Sequence, residues 1–215
     1  MKVELLTSKN SLQDMETNAV RATLSCHANE DKEVNSKEFL MKIIKYGHES
    51  VLEHICLTFK IRGISRACLQ ELARHRLTSP TVESTRHTLK KVLYEHDIKD
   101  LINGVDMELI FGEYADKPQV KNAMIQSLGV MLNLLAQYPE IPNDVLKYFI
   151  PEFWPTNLTL TLNVRELRHI IDLRTSPRAL KEFQALAREL FNAVPDEFKY
   201  LLEDCVHEEA LKWGN

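Results

Sequence analysis

Apolar residues alternate with polar ones at Val3 and Leu5, again at Leu57, Phe59 and Ile61, and again at Leu158, Leu160 and Leu162. A period of two puts every second side chain on one face, so three half-buried strands are predicted. Elsewhere the period lengthens. Phe39, Leu40, Ile43 and Ile44 share one helical stripe, with Ser36 placed to cap its start and Gly47 to stop it. Ser50 and Glu53 have capping-box spacing, which predicts a short helical start before the second strand. Gly63 reads as the end of that strand, and a helix capped by Ser65 is expected over 65–76. Pro80 lacks an N–H and disfavours helix at Ser79, so 77–85 is expected to be a loop. Residues 97–140 give helical signals, strongest over 118–139, where Val120, Ala123, Met124, Met131 and Leu135 suggest a buried face. After the third strand 163–174 reads as helix, and a last helix is expected with Ser176 as cap and Pro177 as its first residue.

Strands and helices mixed in this way, with no linker, repeat or low-complexity stretch, predict an α/β chain of the α+β type. One domain over 1–215 is expected, since 215 residues with 44% hydrophobic content suffice for one substantial core. No apolar run approaches the ~20 residues that cross a bilayer, so a soluble, unexported, cytoplasmic protein without a membrane partner is expected. Cys26, Cys56, Cys68 and Cys205 lack C-x-x-C spacing and read as reduced, mostly buried thiols. No H-E-x-x-H or similar ligand spacing occurs, and His48 and His54 are six apart, so no metal is expected.

A net charge of −4 argues against a basic coat for nucleic acid. One segment reverses the sign: Lys60 to Lys91 holds Lys60, Arg62, Arg66, Arg74, Arg76, Arg86, Lys90 and Lys91 against Glu71 and Glu83, a local +6. Such an island is either a solvated face or the site of a small anion. The six glycines are isolated, and neither G-x-G-x-x-G nor G-x-x-x-x-G-K-[ST] occurs, so a phosphate would be held by side chains. Arginine suits that work, because its planar fork matches phosphate oxygens in pairs. If the helix ran through His75, Glu71 would lie one turn before Arg74 and His75, a spacing that an ordinary charge pair explains equally well. Near the C-terminus, Leu167, Ile170 and Ile171 form an apolar stripe that Arg174 joins. A guanidinium there points to the core or a cleft and requires a carboxylate or a ligand as partner. Arg165 is nine residues away, about 180° around an ideal helix, so the two arginines should serve different partners. Ser84 has no G-x-S-x-G context, and a serine or cysteine triad is not supported.

These residues also carry a family likeness. The run Arg74-His75-Arg76, with Ser84 closing after seven intervening residues, resembles the RHR-x7-S signature of the flavin-dependent thymidylate synthases. Residues 47–54, GHESVLEH, resemble the family's G-H-x-S/T-P-x-E-H turn, and 162–174, LNVRELRHIIDLR, resemble its N-x-R-S-L-x-x-F/I-x-x-L-R helix. The resemblance implies a twisted mixed sheet flanked by helices, and conversion of dUMP to dTMP with FAD, NADPH and methylenetetrahydrofolate. It implies FAD contacts at Ser50, Arg74, His75, Arg76, Asn163, Arg165 and His169. It implies dUMP contacts at Glu71, Arg74, Ser84, Thr85, Arg86, Lys147 and Arg174, in a site shared among subunits of a homotetramer. Arg174 is expected to be the catalytic group, stabilising negative charge on the uracil ring.

Several positions depart from the family's usual residues. Val82 stands for a polar or acidic residue, His87 for tyrosine, Leu180 for glutamine, Lys147 for arginine and His169 for asparagine. Lysine at 147 keeps the charge and loses the bidentate fork. Two rival functions follow: a non-catalytic nucleic-acid-binding module built on the basic island, and a flavin-binding homologue impaired in methyl transfer. Overall acidity and the few aromatics near those arginines count against the first.

Overall fold

The structure is a computed structural model and describes residues 1–29 and 31–207, so 208–215 of the expected domain lie outside the described residues. Among these residues four strands form one sheet in the order β1 (Lys2–Leu5), β2 (Cys56–Ser65), β4 (Pro155–Asn163), β3 (Thr78–Val82). The Leu6 N–H donates to the Thr58 carbonyl at 2.8 Å beside β1. β2 and β4 are antiparallel: the Val164 N–H reaches the Ile55 carbonyl at 2.8 Å, and the Thr58 and Thr161 hydroxyls pair at 3.0 Å. The three alternating segments are thus all strands, with helices around them, and the α/β class expected from patterning is the one observed.

The fourth strand was expected to be loop. Pro80 fits it because β3 lies at the sheet edge, where a missing N–H breaks no ladder. Nor does β2 stop at Gly63. That glycine takes φ +72, and the buried positions Leu57, Phe59 and Ile61 give way to Ile64, one residue out of step, as at a bulge.

The chain divides into two compact units. The first comprises Met1, Arg62–Glu71 and Val82–Leu158. It contains α4 (Thr85–Glu95), α5 (Ile98–Asn103), α6 (Met107–Phe111), α7 (Pro118–Gln137) and α8 (Asn143–Leu146). Its core joins Leu89 and Leu93 of α4 with Leu128, Met131 and Leu135 of α7, Leu146 and Trp154. Each such buried aliphatic side chain contributes about 1.5–3 kcal/mol. On α7 the buried face is Met124, Leu128, Met131 and Leu135. Ala123, expected there, is exposed, and Val120 is half-buried.

The second unit comprises Lys2–Ile61, Leu72–Thr81 and Thr159–Asn215. It holds α1 (Lys9–Ser25), α2 (Ser36–Lys45), a 3-10 turn at Glu49–His54, α9 (Val164–Thr175) and α10 (Lys181–Ala193). α10 packs on α9 and β1, and α9 packs on the 3-10 turn. α2 is capped by Asn35 instead of Ser36, the Asn35 side chain accepting the Glu38 N–H at 3.1 Å. Gly47, at φ +74, follows the helix end as expected. Ser50 makes no side-chain cap on the 3-10 turn, so the capping box is not formed. The helix expected over 65–76 is shorter: α3 spans Arg66–Leu72, with the Ser65 hydroxyl accepting the Cys68 N–H at 3.0 Å as its cap. Chain reversal follows at once, the His75 N–H bonding the Leu72 carbonyl at 3.0 Å. α10 likewise starts at Lys181 and not at Pro177, because the Ala179 N–H closes a turn on the Ser176 carbonyl at 3.0 Å.

All four cysteines are free; Cys68 is buried, but Cys26 and Cys56 are exposed, against expectation. Cys56 falls on the outward phase of β2 and Cys26 on the cap of α1, where neither side chain faces a core. Among the described residues no helix is long and apolar enough to cross a membrane.

Candidate active site

The second unit gathers most of the expected residues around the start of α9. Asn163 caps that helix, its side chain accepting the Glu166 N–H at 2.9 Å. One helical face then buries Leu167, Ile170 and Ile171, and the stripe delivers Arg174 to the edge of a cavity of about 360 Å3. Arg74, His75, Arg76 and His169 line the same cavity, together with Leu77, Glu166 and Leu173. A volume of this size is typical of small-molecule sites.

His75 is the centre of the arrangement. It is buried, whereas Arg74 and Arg76 on either side are exposed. Its backbone is held by the Leu72 carbonyl and by the Thr78 hydroxyl, which donates to the His75 carbonyl at 2.8 Å. Its ring lies edge-on to Phe183 at 5.7 Å and to His169 at 5.5 Å. The Arg174 Nε–H donates to His75 Nε2 at 3.0 Å, and His75 Nδ1 is 3.2 Å from Glu166 Oε1. The Arg174 guanidinium also sits 4.6 Å over the Phe183 ring, a cation-π contact. Burial pushes the Glu166 carboxyl above the usual range, and the nearby His169 draws it part of the way back.

A second cavity of about 610 Å3 in the same unit shares Leu77, Glu166 and His169 with the first and adds Arg165, Arg168, Glu49, Asp172, Asp204 and Cys205. Arg165 is exposed and pairs with Glu53 at 2.6 Å, so Arg165 and Arg174 do serve different partners. Ser50, in the 3-10 turn, is exposed and lines neither of these two cavities, and nor does Asn163. Arg168 is buried and structural: it holds Glu49 at 2.9 Å, Asp204 at 2.6 Å and the Leu201 carbonyl at 2.6 Å.

The remaining expected residues lie in the first unit. Ser84 is exposed at the N-cap position of α4 and makes no side-chain cap. Thr85 lines a cavity of about 160 Å3 with Glu83, Thr88 and Trp154. Arg86 grips Asp144 with two bonds, at 2.6 and 2.9 Å, and Lys147 approaches the same carboxylate at 3.9 Å. The Arg86 hydrogen bond holds the Asp144 carboxyl below its usual range. Asn143 fixes this corner, donating to the Arg86 carbonyl at 2.8 Å and accepting the Lys90 N–H at 3.3 Å. Glu71 is half-buried near the end of α3.

Sequence reasoning missed Glu166, Phe183 and Asp144. Glu166 stands three residues after the Asn163 cap, a spacing that signals a capping box, whereas its carboxylate is spent on His75. Phe183 was hidden by the misplaced start of α10. Nothing local marks Asp144 as the partner of a residue 58 positions away.

Residues 5–198 match the family model of the thymidylate synthase complementing protein, Thy1. A flavin-dependent thymidylate synthase of Campylobacter jejuni strain RM1221 is 45% identical over 167 residues, 77% of this chain and 78% of that protein. Another from Helicobacter pylori strain 26695 is 35% identical over 208 residues, covering 95% of this chain and 99% of the relative. A crystal structure of Thymidylate Synthase X from Helicobacter pylori with FAD and dUMP superposes with a TM-score of 0.78 at 33% identity, over 97% of this chain and 100% of that one. With a family model spanning most of its length and a relative 35% identical matched almost end to end, the chain belongs to the flavin-dependent thymidylate synthase family.

Proposed function

We propose that this protein converts dUMP to dTMP, taking the carbon from methylenetetrahydrofolate and the reducing power from NADPH by way of FAD. The observation that carries the reading is Arg174, a permanently charged group brought by the apolar stripe of α9 to a cavity and held there by His75 and Phe183. A guanidinium fixed in this way, charged at every working pH, can stabilise a carbonyl oxygen on which negative charge develops. Charge stabilised on the uracil ring makes C5 nucleophilic, and C5 exchanges its hydrogen for the incoming carbon.

The side chains fit a flavin dinucleotide in kind: Arg74, Arg76 and Arg165 offer guanidinium donors to a diphosphate, and His75 and His169 offer rings and nitrogens. We assign Ser50, Arg74, His75, Arg76, Asn163, Arg165 and His169 to its binding. Bound FAD, reduced by NADPH, supplies the hydride that turns the transferred one-carbon unit into a methyl group. Glu71, Arg74, Ser84, Thr85, Arg86, Lys147 and Arg174 bind dUMP. Ser84 and Thr85 open α4, whose N-terminus favours a phosphate, and Arg86 and Lys147 add charge there. Ser84 binds and does not attack, since no base activates it. As the family resemblance implies, we further propose a homotetramer whose subunits share sites, so that Arg74 can serve FAD of one site and dUMP of another.

The visible spectrum of the purified protein tests this reading. Flavin bands that bleach under anaerobic NADPH, at a rate that dUMP alters, are expected. A colourless protein that takes up no added FAD would refute it.

A further inference from the structure

We propose that Glu166 is a positioning residue that sets the tautomer of His75, and through it the pose of Arg174. The argument begins with protons. A guanidinium has five N–H donors and no acceptor, and it does not deprotonate in proteins. The 3.0 Å contact between Arg174 Nε and His75 Nε2 is therefore a hydrogen bond only if Nε2 carries a lone pair. The ring proton then sits on Nδ1, and Nδ1 is 3.2 Å from Glu166 Oε1, an acceptor in a buried position. Glu166 is thus the group that makes the required tautomer the favoured one, in the way a carboxylate behind a catalytic or metal-bound imidazole fixes which nitrogen is free.

The alternative tautomer is costly here. A proton on Nε2 would face the Arg174 Nε–H across the same 3.0 Å, donor against donor. The backbone around His75 does not relieve the conflict, because its N–H and carbonyl are both engaged, with Leu72 and Thr78. Edge contacts with Phe183 and His169 restrain the ring itself. Glu166 is equally fixed, since it sits in the first turn of α9 with its own N–H on Asn163. Without the carboxylate, Arg174 keeps its charge and its stack on Phe183 but loses its Nε anchor. The guanidinium then departs from the pose that the Nε bond fixes, and turnover falls while binding of FAD and dUMP changes little. The kinetic half of this inference rests on the proposed thymidylate synthase reaction; the tautomer half does not.

Histidine-selective 15N solid-state spectra of the FAD-loaded protein near pH 8 test it, with the His75 signals assigned by their loss in His75→Asn. In the unmutated protein Nε2 is expected to be pyridine-like and Nδ1 pyrrole-like; the reverse pattern would overturn the proposal without any variant having to fold. Glu166→Leu should populate the Nε2–H tautomer and lower kcat on the order of 10–100-fold, the range usual for groups that orient a working imidazole, with KM for dUMP within about threefold. Glu166→Gln, whose amide oxygen still accepts from Nδ1, should recover most of that loss. An unchanged His75 spectrum in Glu166→Leu, or a kcat that stays at the wild-type level, would overturn it. Failure of the thymidylate reading looks different: the spectra would follow this pattern while the unmutated protein formed no dTMP.

Discussion

Replacing Arg168 by alanine removes a guanidinium that ties three parts of the second unit together. Its side chain is only 5% exposed, and it donates to Glu49, to both Asp204 oxygens and to the Leu201 carbonyl, the last two at 2.6–2.7 Å. Breaking a fully buried pair by deleting one partner costs about 3–5 kcal/mol. Here Asp204 is 55% and Glu49 33% exposed, so both carboxylates regain water and that range is an upper bound. The Leu201 carbonyl belongs to a buried residue, and an orphaned buried acceptor costs about 1–3 kcal/mol by itself. Together with the lost packing of the arginine stem, about 3 kcal/mol is expected, or about 6–12 °C in Tm for a chain of this length. Thermal unfolding followed by far-UV circular dichroism, at one fixed protein concentration, measures it. Arg168→Lys keeps the charge without the fork and should fall between wild type and alanine. A loss below about 1 kcal/mol for Arg168→Ala would show that the cluster behaves as a solvated surface pair and would refute this reasoning.

Three further outcomes follow from the same geometry. Arg174→Ala should retain FAD, read from its visible bands after gel filtration, yet lose on the order of 100- to 1000-fold in kcat; retained turnover would mean that the electrostatic role is misassigned. Lys147→Arg should change KM for dUMP by less than about threefold, about 0.7 kcal/mol, because Asp144, which grips the Arg86 fork and already draws Lys147 to 3.9 Å, competes for the added fork; a tenfold improvement would show a native site impaired by lysine. Asp204, held low chiefly by its hydrogen bond to Arg168, contributes stability that is present above the usual carboxylate pKa and lost as pH falls through its depressed one. The Tm gap between wild type and Asp204→Asn should therefore be open at pH 7 and narrow progressively as pH falls below the ordinary carboxylate pKa of about 3.9; a gap that is constant with pH would contradict the assignment.

Legibility in the sequence followed the range of the forces involved. Leu57, Phe59 and Ile61, and the Leu158 to Leu162 series, announce strands because alternation is a local property of one pleated face. The Arg174 stripe was equally readable, since its period belongs to one helix. β3 was not, because Pro80 is acceptable only at a sheet edge, and edge status depends on the order of all four strands. The ends of α3 and α10 moved for a similar reason: tight turns at Leu72–His75 and Ser176–Ala179 outweigh helix propensity over a few residues. Within the candidate site, residue types were legible and their partners were not. His75 and Glu166 are 91 residues apart, and Arg86 and Asp144 58 apart, so only the folded chain pairs them.

Product formation tests the central claim most directly: purified protein with FAD, NADPH, methylenetetrahydrofolate and dUMP, assayed by chromatographic separation of the nucleotides. The account predicts dTMP in step with NADPH consumed, dependent on FAD and lowered on the order of 100- to 1000-fold in Arg174→Ala. A protein that binds FAD and oxidises NADPH in the presence of dUMP, yet yields no dTMP, would contradict it.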